Sequence, residues 1–153
     1  MTRRKLAMLL MATAAPTPLL FMSRTARGAP LLQATLYKNP QCSCCESYAQ
    51  YLDSNGFQVD VKPTNDLAEI SRTAGVPEEL EGCHTMFVGG YVVDGHVPVE
   101  IIRKLLAEKP TIAGITLPGM PSGSPGMNGP KVGTWSIYAV TKDGNPPQLF
   151  ATV

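Results

Sequence analysis

Beyond its first 28 residues this chain has no cluster of basic side chains and no apolar run long enough to cross a bilayer. Residues 1–28 hold five of the thirteen Lys and Arg (Arg3, Arg4, Lys5, Arg24, Arg27) and none of the twelve acids, so the remainder carries a net charge of −4. The missing basic patch argues against nucleic acid and anionic lipid as partners. The missing apolar run argues against a later membrane span. Histidine and cysteine are scarce too, two and four in 153 residues, so their positions carry information.

What the first 28 residues do contain is a leader pattern. Thr2-Arg3-Arg4-Lys5 is a short basic start, Leu6 to Met22 is mostly apolar, and Ala26-Arg27-Gly28 is a small-x-small ending. This predicts a signal peptide over 1–28, cut near Gly28 or Ala29, which leaves 29–153 as one domain in the periplasm with no membrane association. The twin arginines suit either a twin-arginine or an ordinary secretory route. The alternative is a membrane anchor, against which the shortness of the run and Pro16 and Pro18 both weigh. Export would place the cysteines in an oxidising compartment, where unprotected thiols tend to pair.

The rest of the chain alternates between strand and helix patterns. Ala34 to Lys38 suits a strand, and Glu46 to Ser54 a helix with Cys45, Tyr48, Ala49 and Leu52 on one apolar face. Phe57 to Lys62 alternates as a second strand, and Asp66 to Ala74 reads as a second helix with Leu67, Ile70 and Ala74 inward. Val76 to Leu80 reads as a helical turn with Pro77 at its start. Thr85–Val88 and Tyr91–Asp94 flank Gly89-Gly90 as a hairpin, and Pro98 opens a third helix over Val99–Glu108. The predicted class is α/β, in the order β-α-β-α-β-β-α, which resembles a thioredoxin-like domain. A Gly/Pro/Met-rich loop over 117–130 and a terminal hairpin around Asp143-Gly144 follow, with Met86, Trp135 and Tyr138 expected in the core. The proline that thioredoxins keep before the third strand is absent; Cys83-His84-Thr85 stands in its place.

Three of the four cysteines, Cys42, Cys44 and Cys45, fall within four positions at the first strand-to-helix turn. A helix start offers free backbone N–H groups and positive potential, which favour the thiolate. Three readings compete. Two structural disulfides would need a strained vicinal pair or two bonds within one turn, closing almost no loop. A thiol–disulfide oxidoreductase needs only Cys42 and Cys45 and leaves Cys44 and Cys83 unexplained. A soft-metal site uses all four, because thiolates and thioethers select Cu(I). Three sulfurs so close together suit bridging between several Cu(I) ions better than tetrahedral binding of one zinc.

Four motifs then carry a family resemblance. Cys42-x-Cys44-Cys45, Gly82-Cys83-His84-Thr85, Asp94-Gly95-His96-Val97-Pro98 and Leu117-Pro118-Gly119-Met120-Pro121-x-Gly123-Ser124-Pro125-Gly126-Met127 together resemble the CopG-type periplasmic copper-resistance proteins, over about residues 33–141. The resemblance implies a thioredoxin-like fold, a cysteine-bridged multinuclear copper site, and a role in periplasmic copper handling with interconversion of Cu(I) and Cu(II). The expected metal ligands are Cys42, Cys44, Cys45 and Cys83, with His84, Met120 and Met127 closing the rim; the expected partners are copper ions and other periplasmic copper-handling proteins. For His84 the plain alternative is a hydrogen bond to a backbone carbonyl, and for Met120 and Met127 gap-filling over the core. His96 is expected to shape the turn into the third helix rather than to touch metal.

Overall fold

A computed structural model describes residues 30–142 and 145–153; the expected leader over 1–28 and the Asp143-Gly144 turn lie outside the described residues. Among the described residues seven strands and three α-helices follow in order: β1 (Leu32–Lys38), α1 (Ser43–Asp53), β2 (Phe57–Pro63), α2 (Leu67–Thr73), β3 (His84–Val88), β4 (Tyr91–Asp94), α3 (Val99–Glu108), β5 (Gly114–Thr116), β6 (Ser136–Val140) and β7 (Gln148–Thr152). A 3₁₀ turn at Glu78–Leu80 precedes β3. The expected β-α-β-α-β-β-α order is therefore present.

All seven strands belong to one sheet, in the order β2-β1-β3-β4-β5-β6-β7. The pairs β1/β2 and β4/β5 are parallel and each is joined through a helix; the other pairs are antiparallel. Parallel neighbours need such a crossover, and α1 and α3 supply it. The terminal hairpin is thus not a separate unit. β5, only three residues long and beside a Gly/Pro-rich stretch, joins it to the main sheet, and no run of that length announces itself in sequence.

One face of the sheet carries the main core. Leu36, Met86, Val93, Ile115 and Ile137 meet Tyr48 and Leu52 from α1 and Val99, Ile102 and Leu105 from α3. Each large side chain removed from water there contributes roughly 1.5–3 kcal/mol. Strand alternation sends Val92 to the other face, where it packs with Val76 and Val140. The inward face expected for α2 is only half-buried; Ser71 is its buried residue. Trp135 and Met86 lie in the core as expected, while Tyr138 is half-buried.

α1 begins three residues before the expected start at Glu46: Ser43 and Cys44 precede its apolar face, whose first member is Cys45. Cys42 is therefore the N-cap, and Cys44 and Cys45 stand in the first turn.

Candidate metal centre

Strand register brings the site together. His84 pairs with Lys38 where β1 ends, and Thr85 pairs with Asp94 where β4 ends. The turn after β1, the start of β3 and the turn after β4 therefore meet at one edge of the sheet. They carry Cys42, Cys44 and Cys45; Cys83 and His84; and His96, respectively.

The four sulfurs form one cluster. Cys42 Sγ lies 3.4 Å from Cys44 Sγ. Cys83 Sγ lies 3.8 Å from Cys44 Sγ and 3.4 Å from Cys45 Sγ. Cys42 and Cys45 are joined by a disulfide, whereas Cys44 and Cys83 are free thiols. A four-thiolate set is thus available only after the disulfide accepts two electrons and the Cys44 and Cys83 thiols give up their protons. Cys45 is fully buried; the other three are partly exposed. Burial, reinforced by the neighbouring Cys44, pushes the Cys83 thiol up to about 12. A bound cation reverses that penalty, because a coordinated thiol is held as thiolate.

Both histidines are fully buried against this cluster. His84 Nδ1 lies 3.7 Å from Cys83 Sγ, and its Nε2 is buried without a hydrogen bond. An orphaned buried nitrogen costs about 1–3 kcal/mol, and among the described residues nothing pairs with His84 Nε2 to offset it. Burial holds its pKa down at about 3, His96 lowers it further, and the Gly95 backbone opposes the shift. His96 Nδ1 lies 2.6 Å from the Pro125 carbonyl and its Nε2 lies 3.0 Å from Cys83 Sγ. Burial lowers the pKa of His96 and the Pro125 carbonyl opposes that shift. A carbonyl only accepts, so the neutral ring carries its hydrogen on Nδ1 and leaves the Nε2 lone pair facing the sulfur. The sequence pattern favours a turn role for His96; the structure places it beside Cys83. Its only sequence signal is the Gly95-His96-Val97-Pro98 turn, which does not reveal what lies opposite. Tyr48 packs against both imidazoles, at ring separations of 4.6 Å for His84 and 5.0 Å for His96, and its hydroxyl donates to the Val97 carbonyl at 2.8 Å.

Two overlapping sets of potential ligands result: Cys42, Cys44, Cys45 and Cys83, and Cys45, Cys83, His84 and His96, with the ligand atoms of each set within 4.8 Å of one another. Neither contains a carboxylate. Sulfur and imidazole without oxygen fit copper or zinc and disfavour Mg²⁺ and Ca²⁺.

The Gly/Pro/Met loop reaches the same place. Met120 and Met127 line a pocket of about 310 Å³ with Ser43, Cys44, Ser47, Ser122, Gly126 and Asn128. The loop is held hard against α1: a Cβ on Gly126 would lie 2.7 Å from Tyr48 N and 2.9 Å from the Cys44 carbonyl. Of the four cysteines, only Cys44 lines this pocket. A pocket of about 390 Å³ between α2 and the sheet, lined by Tyr37, Ile70 and Phe87 among others, contains no cysteine or histidine.

Two residues hold the site from below and give no signal in sequence. Lys38 closes β1 with its side chain 1% exposed. Its Nζ donates to the carbonyls of Asn39, Pro40 and Cys42 and pairs with Glu46 at 2.9 Å. One cation thereby organises the turn that carries Cys42. Asp94 accepts from Ser71 and Thr85, both at 2.9 Å, and from the Gly82 backbone N–H, so it fixes the approach to Cys83. Burial raises its pKa to about 6 against these donors.

These features define an α/β protein with a candidate metal centre, lined by sulfur and imidazole, at a strand-to-helix turn. The chain matches two solved structures of a copper resistance protein CopG. With form 2 it shares 32% identity over 80% of this chain and 98% of that one, at a TM-score of 0.74. With form 1 it shares 33% identity over 81% and 98%, at 0.73. Residues 80–127 match a family described as a protein of unknown function, DUF411. Among curated proteins none matches the chain. The chain belongs to the CopG-type copper-resistance family.

Proposed function

We propose that this protein binds copper in the periplasm and keeps it in a form that does not damage other proteins. Cys42, Cys44, Cys45 and Cys83 form a bridging thiolate cage for several Cu(I) ions, closed at its rim by Met120 and Met127, with His84 at its base. The observation that carries this reading is the convergence of all four cysteines on one point with no carboxylate among the potential ligands. The positive end of α1 offsets part of the charge such a cage collects, since no side chain caps its first-turn N–H groups. Copper is cargo here; interconversion of Cu(I) and Cu(II) and exchange with other periplasmic copper-handling proteins follow from that role. Cleavage of a leader near Gly28 or Ala29 is part of the same proposal, and N-terminal sequencing of the exported protein checks it.

A second reading has one observation in its favour. The Cys42–Cys45 disulfide is what a thioredoxin-like thiol–disulfide oxidoreductase would show at rest. Native mass spectrometry of reduced protein titrated anaerobically with Cu(I) separates the two. Cooperative uptake of several copper ions per chain is expected, with few singly loaded species. Loading that stops at one ion, or preference for zinc at equal availability, would leave the oxidoreductase reading as the better account.

A further inference from the structure

We infer that the groove between α2 and the sheet is a docking site for an arginine side chain carried on an exposed segment of a partner protein. The guanidinium lies over the Tyr37 and Phe87 rings and pairs with the carboxylates of Asp66 and Glu69 at the rim. The groove contains no cysteine or histidine, and nothing in it depends on a bound metal.

Local structure explains why the groove is there. Leu36 and Met86 face the main core, so their neighbours Tyr37 and Phe87 face the other way. Register sets these two rings near each other, edge-on at 6.0 Å. α2 is only seven residues long and is held to this face at Ser71, whose hydroxyl meets Thr85 at 2.6 Å and Asp94 at 2.9 Å. Its Ile70 and Ala74 stay half-buried beside the two rings, and a cavity of about 390 Å³ remains. Phe87 is 39% exposed on the third of seven strands, so the floor of the groove is an open aromatic surface.

Charge complementarity selects the occupant. Asp66 is the N-cap of α2, yet its carboxylate makes no capping hydrogen bond. Among the described residues no ion pair engages Asp66 or Glu69. Lys62, the register partner of Tyr37, is taken up by Asp60 at 2.9 Å, and Arg72 is exposed and does not line the groove. Two free carboxylates over an aromatic floor call for a cation. A planar guanidinium stacks on a ring face and pairs bidentately with carboxylates, which an ammonium does not do. A neutral apolar group would leave both carboxylates unused, and an anion would be repelled. Tyr37 directly precedes Lys38, whose ammonium donates to the Cys42 carbonyl, so a partner seated here stands at the cysteine-bearing end of β1.

The test titrates metal-free, nitrogen-15-labelled protein with the capped peptide acetyl-Gly-Arg-Gly-amide and, separately, with its citrulline counterpart, which keeps the shape and loses the charge. Amide resonances of Tyr37, Ile70, Ala74 and Phe87 should move with the arginine peptide, and the affinity should fall as salt rises from roughly 20 to 200 mM. The citrulline peptide should bind about fivefold more weakly or not at all. Asp66→Asn combined with Glu69→Gln should weaken arginine binding about fivefold. Phe87→Leu keeps an apolar floor without a ring face and should weaken it about two- to fivefold. Amide resonances away from the groove report that each variant is folded. Equal binding of the citrulline peptide, or equal binding by the double variant, overturns the site. So does movement only outside the groove, or none at tens of millimolar peptide.

Discussion

The two sides of the centre are built in opposite ways. The sulfur side is local: Cys42, Cys44 and Cys45 lie on one helix start, partly open to solvent and beside a methionine-lined pocket. The imidazole side is assembled from β3 and the turn after β4, fully buried, and braced by the Tyr48 ring. An open, local, soft side suits capture and exchange of Cu(I). A buried side with borderline donors suits retention. Cys83 joins the two sides, because it lies within 3.8 Å of Cys44, Cys45, His84 and His96 alike.

Removing that junction should have the largest effect. Cys83→Ser takes a ligand from both sides, so copper per chain should fall further than in Cys44→Ser, which touches only the sulfur side. Metal analysis of the purified, reloaded variants checks this. Equal copper in wild type and Cys83→Ser would mean that the two sides do not share a centre.

The next test strikes the support beneath the sulfur side. Lys38→Met leaves three carbonyls and Glu46 without their cation, and should cost about 1–3 kcal/mol in urea unfolding. Glu46→Gln should cost much less, under about 1 kcal/mol, since that carboxylate is 55% exposed and its charge is screened.

The imidazole side can be broken with acid. His84 titrates near 3 when folded against 6.5 when free, so the unfolded chain binds more protons between those values. Its contribution to stability is present above about 6.5 and lost as pH falls toward 3. Asp94 acts oppositely: its raised pKa makes its stabilisation complete below 3.8 and lost as pH rises through about 6. His84→Phe in the metal-free protein should therefore flatten the acid limb of the stability curve by a few kcal/mol, on the order of the shift converted to energy. An unchanged acid limb would mean that His84 is already solvated.

The smallest effect should come from the rim. Met120→Leu with Met127→Leu keeps volume and apolarity but removes two thioether sulfurs. Copper loss to a Cu(I) chelator should quicken several-fold with the melting temperature unchanged. Loss at the wild-type rate would return both methionines to packing.

Much of this was legible in the amino-acid sequence because it is local. The apolar face Cys45, Tyr48, Ala49 and Leu52 is the buried face of α1, and Val99–Glu108 is α3 with the bounds its pattern gives. The clustering of Cys42, Cys44 and Cys45 needs no folding to be seen, and soft-metal chemistry follows from residue type alone. Tertiary structure decided what depends on partners distant in sequence. Strand register, not spacing, sets Cys83 and His84 beside the end of β1. The approach of the Pro125 carbonyl fixes the His96 tautomer and turns a turn residue into a candidate ligand. Lys38 reads as the polar end of a strand, yet folding buries it beneath Cys42, because the carbonyls of the following turn converge on its ammonium and replace the water it gives up.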